Sequence, residues 1–153
     1  MGFKDAVRTC IREKYFTLSG RATRSEYWWF ILFQWSVLIA LFLVMLLFFG
    51  LDDSLVGGPA TGMETAGIVS LVVLGIVFLF LFIPAIAAQV RRFHDRNLSG
   101  WWVLAIIILS NVPLVGFVAS IVGLVITVLR GTDGDNKYGP DPLRAENSAE
   151  IFA

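Results

Sequence analysis

The 153-residue chain is 57% hydrophobic and 16% charged, with a formal net charge of zero. A soluble domain carries about a quarter charged residues and less than about half apolar ones. Here the apolar excess is gathered into three long uncharged runs, which excludes an ordinary soluble domain and points to an all-α membrane protein. A single cysteine, Cys10, excludes an internal disulfide, and too little sequence lies outside the runs for a second folded domain.

Residues 3–16 read as an amphipathic helix. Phe3, Val7, Cys10, Ile11 and Tyr15 share one side, and Lys4, Arg8, Arg12 and Glu13 the other. Ahead of a membrane span, such a helix (residues 1–19 with its flanks) is expected to lie at the interface, with packing on the protein's own face as the alternative. It lacks the short apolar core and cleavage site of a signal peptide. After a turn at Ser19 and Gly20, Thr23-Arg24-Ser25-Glu26 has capping-box spacing, with Thr23 as N-cap and Glu26 at N3.

The first apolar run, residues 27–51, is uncharged for 25 residues and opens on Tyr27, Trp28 and Trp29. As a helix it extends roughly 37 Å at 1.5 Å per residue, enough to cross about 30 Å of hydrocarbon, and the aromatics suit the interface. Residues 52–65 follow as a Gly- and Pro-containing loop with three acids and no base. The second run, residues 66–90, is again 25 uncharged residues, with Pro84 expected to kink it near its end. A short basic loop, residues 91–100, carries Arg91, Arg92 and Arg96 against Asp95.

The third run, residues 101–129, is broken at 111–116 by Asn111, Pro113 and Gly116. It admits two readings: one kinked crossing, or two arms of a hairpin. The membrane domain then covers residues 20–130, and residues 131–153 form a turn-rich tail, assigned to the cytoplasm. Six bases lie in the first 26 residues, none in the first loop and three in the second. By the positive-inside rule the N-terminus and second loop are therefore cytoplasmic.

Three stretches carry a resemblance. They are residues 20–30 (Gly20-Arg21-Ala22-Thr23-Arg24-Ser25-Glu26-Tyr27-Trp28-Trp29-Phe30), Arg91-Arg92-Phe93-His94-Asp95 with Ser99-Gly100-Trp101-Trp102, and Gly131-Thr132 with Asn136-Lys137-Tyr138-Gly139-Pro140-Asp141-Pro142. Together they resemble the small bacterial inner-membrane proteins classed as domain of unknown function 805, from about Tyr15 to Pro142. Phe93 stands where that family usually has leucine, and Arg130 where proline is common. The resemblance implies a bacterial cytoplasmic-membrane protein and brings no activity with it.

The candidate headgroup- or partner-binding residues are Arg21, Arg24, Glu26, Arg91, Arg92, His94, Asp95 and Tyr138. Guanidinium groups match phosphate geometry, and basic clusters at this boundary bind anionic lipids or simply anchor the helix ends. Glu26 serves as a capping residue or as a partner of Arg91 or Arg92. His94-Asp95 has the composition of an acid–base pair, but no nucleophile, metal set or phosphate loop accompanies it, so no catalytic residue is assigned. One histidine and one cysteine make a poor zinc site. The alternating acids of residues 133–139 lack the closing glutamate of a calcium loop. No metal or other cofactor is expected.

No ionisable side chain lies within the three runs, which disfavours a coupled ion carrier. Gly116, Ser120 and Gly123 have the small-residue spacing of a close helix contact. The leading functional expectation is a non-enzymatic membrane protein binding lipid or a partner through a basic cytoplasmic surface. The alternative is a small transporter or channel component using the Asn111–Pro113 break, and the third a lipid-modifying enzyme using His94 and Asp95. Expected partners are anionic membrane lipids, a second copy or another membrane protein, and no nucleic acid.

Overall fold

A computed structural model describes residues 1–50 and 61–144, with the backbone alone described at 48–50 and 61–66. Most of the expected first loop and the last nine residues of the tail lie outside the described residues. The chain is helical: α1 Phe3–Arg8, continued by a π-helical turn Thr9–Glu13, then α2 Arg24–Gly50, α3 Thr61–Asp95, α4 Trp101–Leu109 and α5 Val115–Val128. The described residues form no strand beyond one isolated bridge between Asn136 and Gly139.

The N-terminal helix ends at Glu13 rather than at residue 16. The Lys14 amide bonds the Thr9 carbonyl at 2.8 Å, an i→i+5 closure that turns both Thr9 and Cys10 inward. Ala6 is buried with them, and Phe3 meets Trp29 edge to face at 5.8 Å, so one face of this helix packs on protein. Phe3, Phe16 and Leu18 stay exposed.

α2 starts where its cap predicts. Thr23 Oγ1 accepts the Glu26 amide at 3.1 Å. The reciprocal half of the capping box is not made, because the Glu26 carboxylate is taken by Arg91. The helix α3 is longer than expected at both ends. Residues Arg91 to Asp95, read as loop, are its last turn, and it stops only where Asn97 takes a left-handed conformation (φ 58°) and Leu98 N–H reaches back to Phe93 O at 3.0 Å. The charges keep helical geometry because their partners lie inside the protein and not in the surrounding water.

α2 and α3 contain the two segments long and apolar enough to cross a membrane, Arg24–Leu47 and Gly67–Asp95. Only 6% and 22% of their most apolar windows are buried. That exposure suits hydrocarbon and not a soluble core.

The chain divides into two units, residues 32–82 and residues 1–31 with 83–153. In the first, Trp35, Ile39 and Phe42 of α2 and Leu71, Gly75 and Phe78 of α3 line an apolar groove of about 500 Å³. In the second, α4 and α5 form the hairpin. Ser110 and Ser120 hydroxyls lie 3.3 Å apart, and Gly123 leaves room for Ile106. A small core of Val90, Phe93, Val103 and Ile106, with Ile126 against it, joins the hairpin to the end of α3.

Candidate functional site

The second unit is built around a buried polar layer. Arg91 and Arg92 are completely buried, and Arg21, Glu26 and Asp95 nearly so. Neighbouring positions on a helix point about 100° apart, so Arg91 and Arg92 face different partners. Arg91 Nη1 donates to Glu26 Oε1 at 2.6 Å, its Nε to Ala87 O at 3.3 Å, and its Nη2 approaches Cys10 Sγ at 3.8 Å. This ties α3 to the start of α2 and to the π-helical turn. Burial, with Glu26 beside it, pushes the Cys10 thiol up to about 11, so it stays a neutral sulfur.

Arg92 faces the hairpin. It pairs with Asp95 one turn on, donates through Nε to Thr127 O at 3.0 Å, and bonds Leu129 O and Ala22 O. A guanidinium thereby supplies the donors that the last turn of α5 cannot find within its own helix. Arg21 completes the charge set, with Nε on Asp95 Oδ1 at 2.8 Å and its two terminal nitrogens on Gly134 O and Thr132 O at 2.6 Å each.

His94 lies on another side of the helix. Its Nδ1 donates to Gly20 O at 3.2 Å, and its ring stacks on Tyr138 with centroids 3.8 Å apart and planes 3° from parallel. The stack positions the tail. Thr132 N–H bonds Asp95 O at 2.8 Å, and Asn136 Nδ2 bonds both His94 O and Thr132 Oγ1 at 3.0 Å. The Asp141 carboxylate, below its ordinary pKa, accepts the Leu143 and Gly134 amides.

The layer therefore gathers Arg21, Glu26, Arg91, Arg92, His94, Asp95 and Tyr138. Arg24 alone among the eight candidates is exposed and makes no ion pair or hydrogen bond among the described residues. The expected basic surface is corrected in one respect: Arg21, Arg91 and Arg92 are consumed by internal carboxylates and carbonyls and offer no open fork. His94 and Asp95 do not form an acid–base pair either. They point apart on the helix, and Arg21 and Arg92 occupy the carboxylate. Cys10, Thr127 and the Gly20, Ala22 and Leu129 carbonyls are members of the layer that sequence reasoning misses. No side-chain chemistry marks a backbone acceptor, although Gly20 and Gly131-Thr132 belong to the motifs that carry the family resemblance.

Beside the layer a cavity of about 220 Å³ is lined by Thr23, Arg24, Ser25, Arg130, Pro142 and Leu143, with Arg92 and Asp95 at its wall. Gly131 borders it, and a Cβ there would run into the Asp95 carboxylate.

Two exposed apolar helices of span length, with a short hairpin and a buried ionic layer, define a helical integral membrane protein. This chain belongs to the family described as protein of unknown function DUF805, which it matches over residues 15–140. It is 34% identical to inner membrane protein YhaH of Escherichia coli (strain K12) over 132 residues, 86% of this chain and 92% of that protein. It is likewise 34% identical to inner membrane protein YhaI of the same strain over 137 residues, 90% and 95% of the two chains. No solved structure matches.

Proposed function

We propose that this protein is a non-enzymatic, multi-pass inner-membrane protein that holds an anionic lipid headgroup at the mouth of its buried layer. The observation that carries the reading is a charge imbalance. Three buried guanidinium groups, Arg21, Arg91 and Arg92, stand against two buried carboxylates, Glu26 and Asp95. The cavity beside them adds the unpaired Arg24, the Thr23 and Ser25 hydroxyls and Arg130, which is shared with Asp133 at 2.8 Å. An anion entering there meets uncompensated positive charge next to the α2 N-terminus.

The N-terminus, the α3–α4 connection and the tail lie on the cytoplasmic side in this reading. The supporting facts are the six bases ahead of α2, the three closing α3, and the bonds from Arg21 to Thr132 and Gly134. Cysteine labelling after Pro142 in a Cys10→Ser background reads the side directly; external labelling sinks this topology. The headgroup is tested in nanodiscs containing phosphatidylglycerol, with retained lipid counted by native mass spectrometry. Arg24→Gln with Arg130→Gln is expected to lose anionic lipid at unchanged thermal stability. Equal retention by the double variant and the wild type sinks the headgroup reading.

A further inference from the structure

A second cavity, of about 460 Å³, lies between the end of α3, the start of α2 and the hairpin. Its polar lining is Tyr27, Gln89, Ser110, Asn111, Ser120 and Thr127, with isoleucine and leucine side chains between them. Much of this hydrogen-bonding capacity is spent internally. Ser110 and Ser120 face each other, Asn111 Nδ2 donates to Ile107 O at 2.7 Å, and Thr127 Oγ1 donates to Leu124 O at 2.7 Å. The Tyr27 hydroxyl and the Gln89 amide have no hydrogen bond among the described residues. Yet no fully buried side-chain nitrogen or oxygen there lacks a partner, so these two groups keep access to the cavity they line. The Asn111 carbonyl oxygen is a third open acceptor.

The hairpin sets where this cavity lies. The nine residues of α4 and fourteen of α5 extend roughly 14 Å and 21 Å, short of a bilayer core of about 30 Å. Both outer ends of the hairpin sit at the polar layer, through Arg92 at Leu129 and through the Ser99–Trp102 turn. The hairpin therefore enters and returns on one side. Its tip is apolar and open, with Val112, Leu114 and Phe117 exposed, and its backbone is satisfied internally by Val112 N–H to Leu109 O at 3.0 Å and Gly116 N–H to Val112 O at 2.7 Å. Irregular backbone at such depth is tolerated where it lines a cavity.

From this we infer that the cavity is a binding site for an uncharged, lipid-soluble molecule whose head carries hydroxyl or carbonyl groups. No lining side chain carries a charge at neutral pH, so an ionic head would be desolvated there without a counter-charge. The amide of Gln89 and the phenol of Tyr27 together donate and accept, as a hydroxylated or ester-bearing head requires. The volume lies in the range of small-molecule sites, and the exposed apolar rim favours entry from the lipid phase. The inference does not rest on the anionic-headgroup reading, because the two cavities share no lining residue.

The experiment uses the full chain in phospholipid nanodiscs doped with a photoreactive diacylglycerol, with labelled peptides mapped by mass spectrometry. Labelling is expected within residues 106–127 and at Gln89. It should fall about fivefold in Gln89→Met and in Ser120→Val, the effect of one net hydrogen bond. Arg24→Gln with Arg130→Gln should leave it unchanged. Competition by free glycerol would support the same chemistry while making a soluble polyol its source. Labelling no stronger than on the lipid-facing surface of residues 67–82, or equal in wild type and both cavity variants, overturns the site.

Discussion

Arg91 and Glu26, 65 residues apart in sequence, meet at 2.6 Å with both side chains essentially out of solvent. The pair joins the last turn of α3 to the first turn of α2. Removing one partner of such a pair leaves a buried charge uncompensated, at a cost of about 3–5 kcal/mol. Glu26→Ala and Arg91→Ala are therefore expected to be severely destabilised in detergent unfolding curves. Glu26→Gln with Arg91→Met should recover a large part of the loss. A double variant no better than either single one would show that the pair does not act as a unit.

Cys10 reports on the same contact. Its thiol, raised to about 11 by burial first and by Glu26 second, is neutral at pH 8 and packed beside Arg91. Maleimide labelling of the folded protein should be far slower than that of the unfolded chain, whose cysteine titrates at about 8.5. Arg91→Ala should speed it. Equal rates in folded and unfolded protein would place Cys10 outside the layer.

The His94–Tyr138 stack is expected to hold the tail by its faces, not by the phenol hydroxyl. Tyr138→Phe should preserve stability, whereas Tyr138→Ala should lose about 0.5–1.5 kcal/mol beyond the buried area. Hydrogen exchange over residues 131–142 is the readout. Increased exchange in the Phe variant would shift the weight to the hydroxyl.

Two glycines are expected to resist even alanine. At Gly131 a Cβ would meet the Asp95 carboxylate, and at Gly116 the Ser110 carbonyl. Overpacking of this kind costs about 1–3 kcal/mol. Gly131→Ala should loosen the tail and Gly116→Ala the hairpin turn, which limited proteolysis separates. Gly75→Ala should be neutral, because a Cβ added there would have nothing within 4 Å.

Acid should release the tail in a defined direction. The Leu143 amide first, then that of Gly134, hold Asp141 below its ordinary 3.8. A carboxyl depressed on folding contributes stability that is present above its unfolded pKa and lost as pH falls through the lower folded value. Tail protection should therefore weaken as pH drops below about 4. Asp141→Asn should flatten that part of the profile; an unchanged profile would assign the acid sensitivity elsewhere.

Much of the architecture is legible in the sequence because hydrocarbon imposes long uncharged runs and helix starts have local signals. The two long runs appear as α2 and α3, and Thr23 caps α2 as its spacing predicts. The ends of α3 are not legible. Arg91 to Asp95 look like a solvated basic loop in one dimension, and only partners more than 30 residues away keep them helical. The two readings of residues 101–129 are equally open in one dimension, since Asn111 and Pro113 break a helix without saying which way the chain continues.

Sequence by itself determined that this is a helical membrane protein and which polar residues stand at the ends of its apolar runs, because both follow from length, charge and local spacing. Only the tertiary structure decided which of those residues are spent and which are open. Arg21, Arg91 and Arg92 look alike in sequence to Arg24, yet burial gives the first three internal partners and leaves the fourth free. Ion pairing depends on distance across the fold, and no periodicity along the chain encodes that.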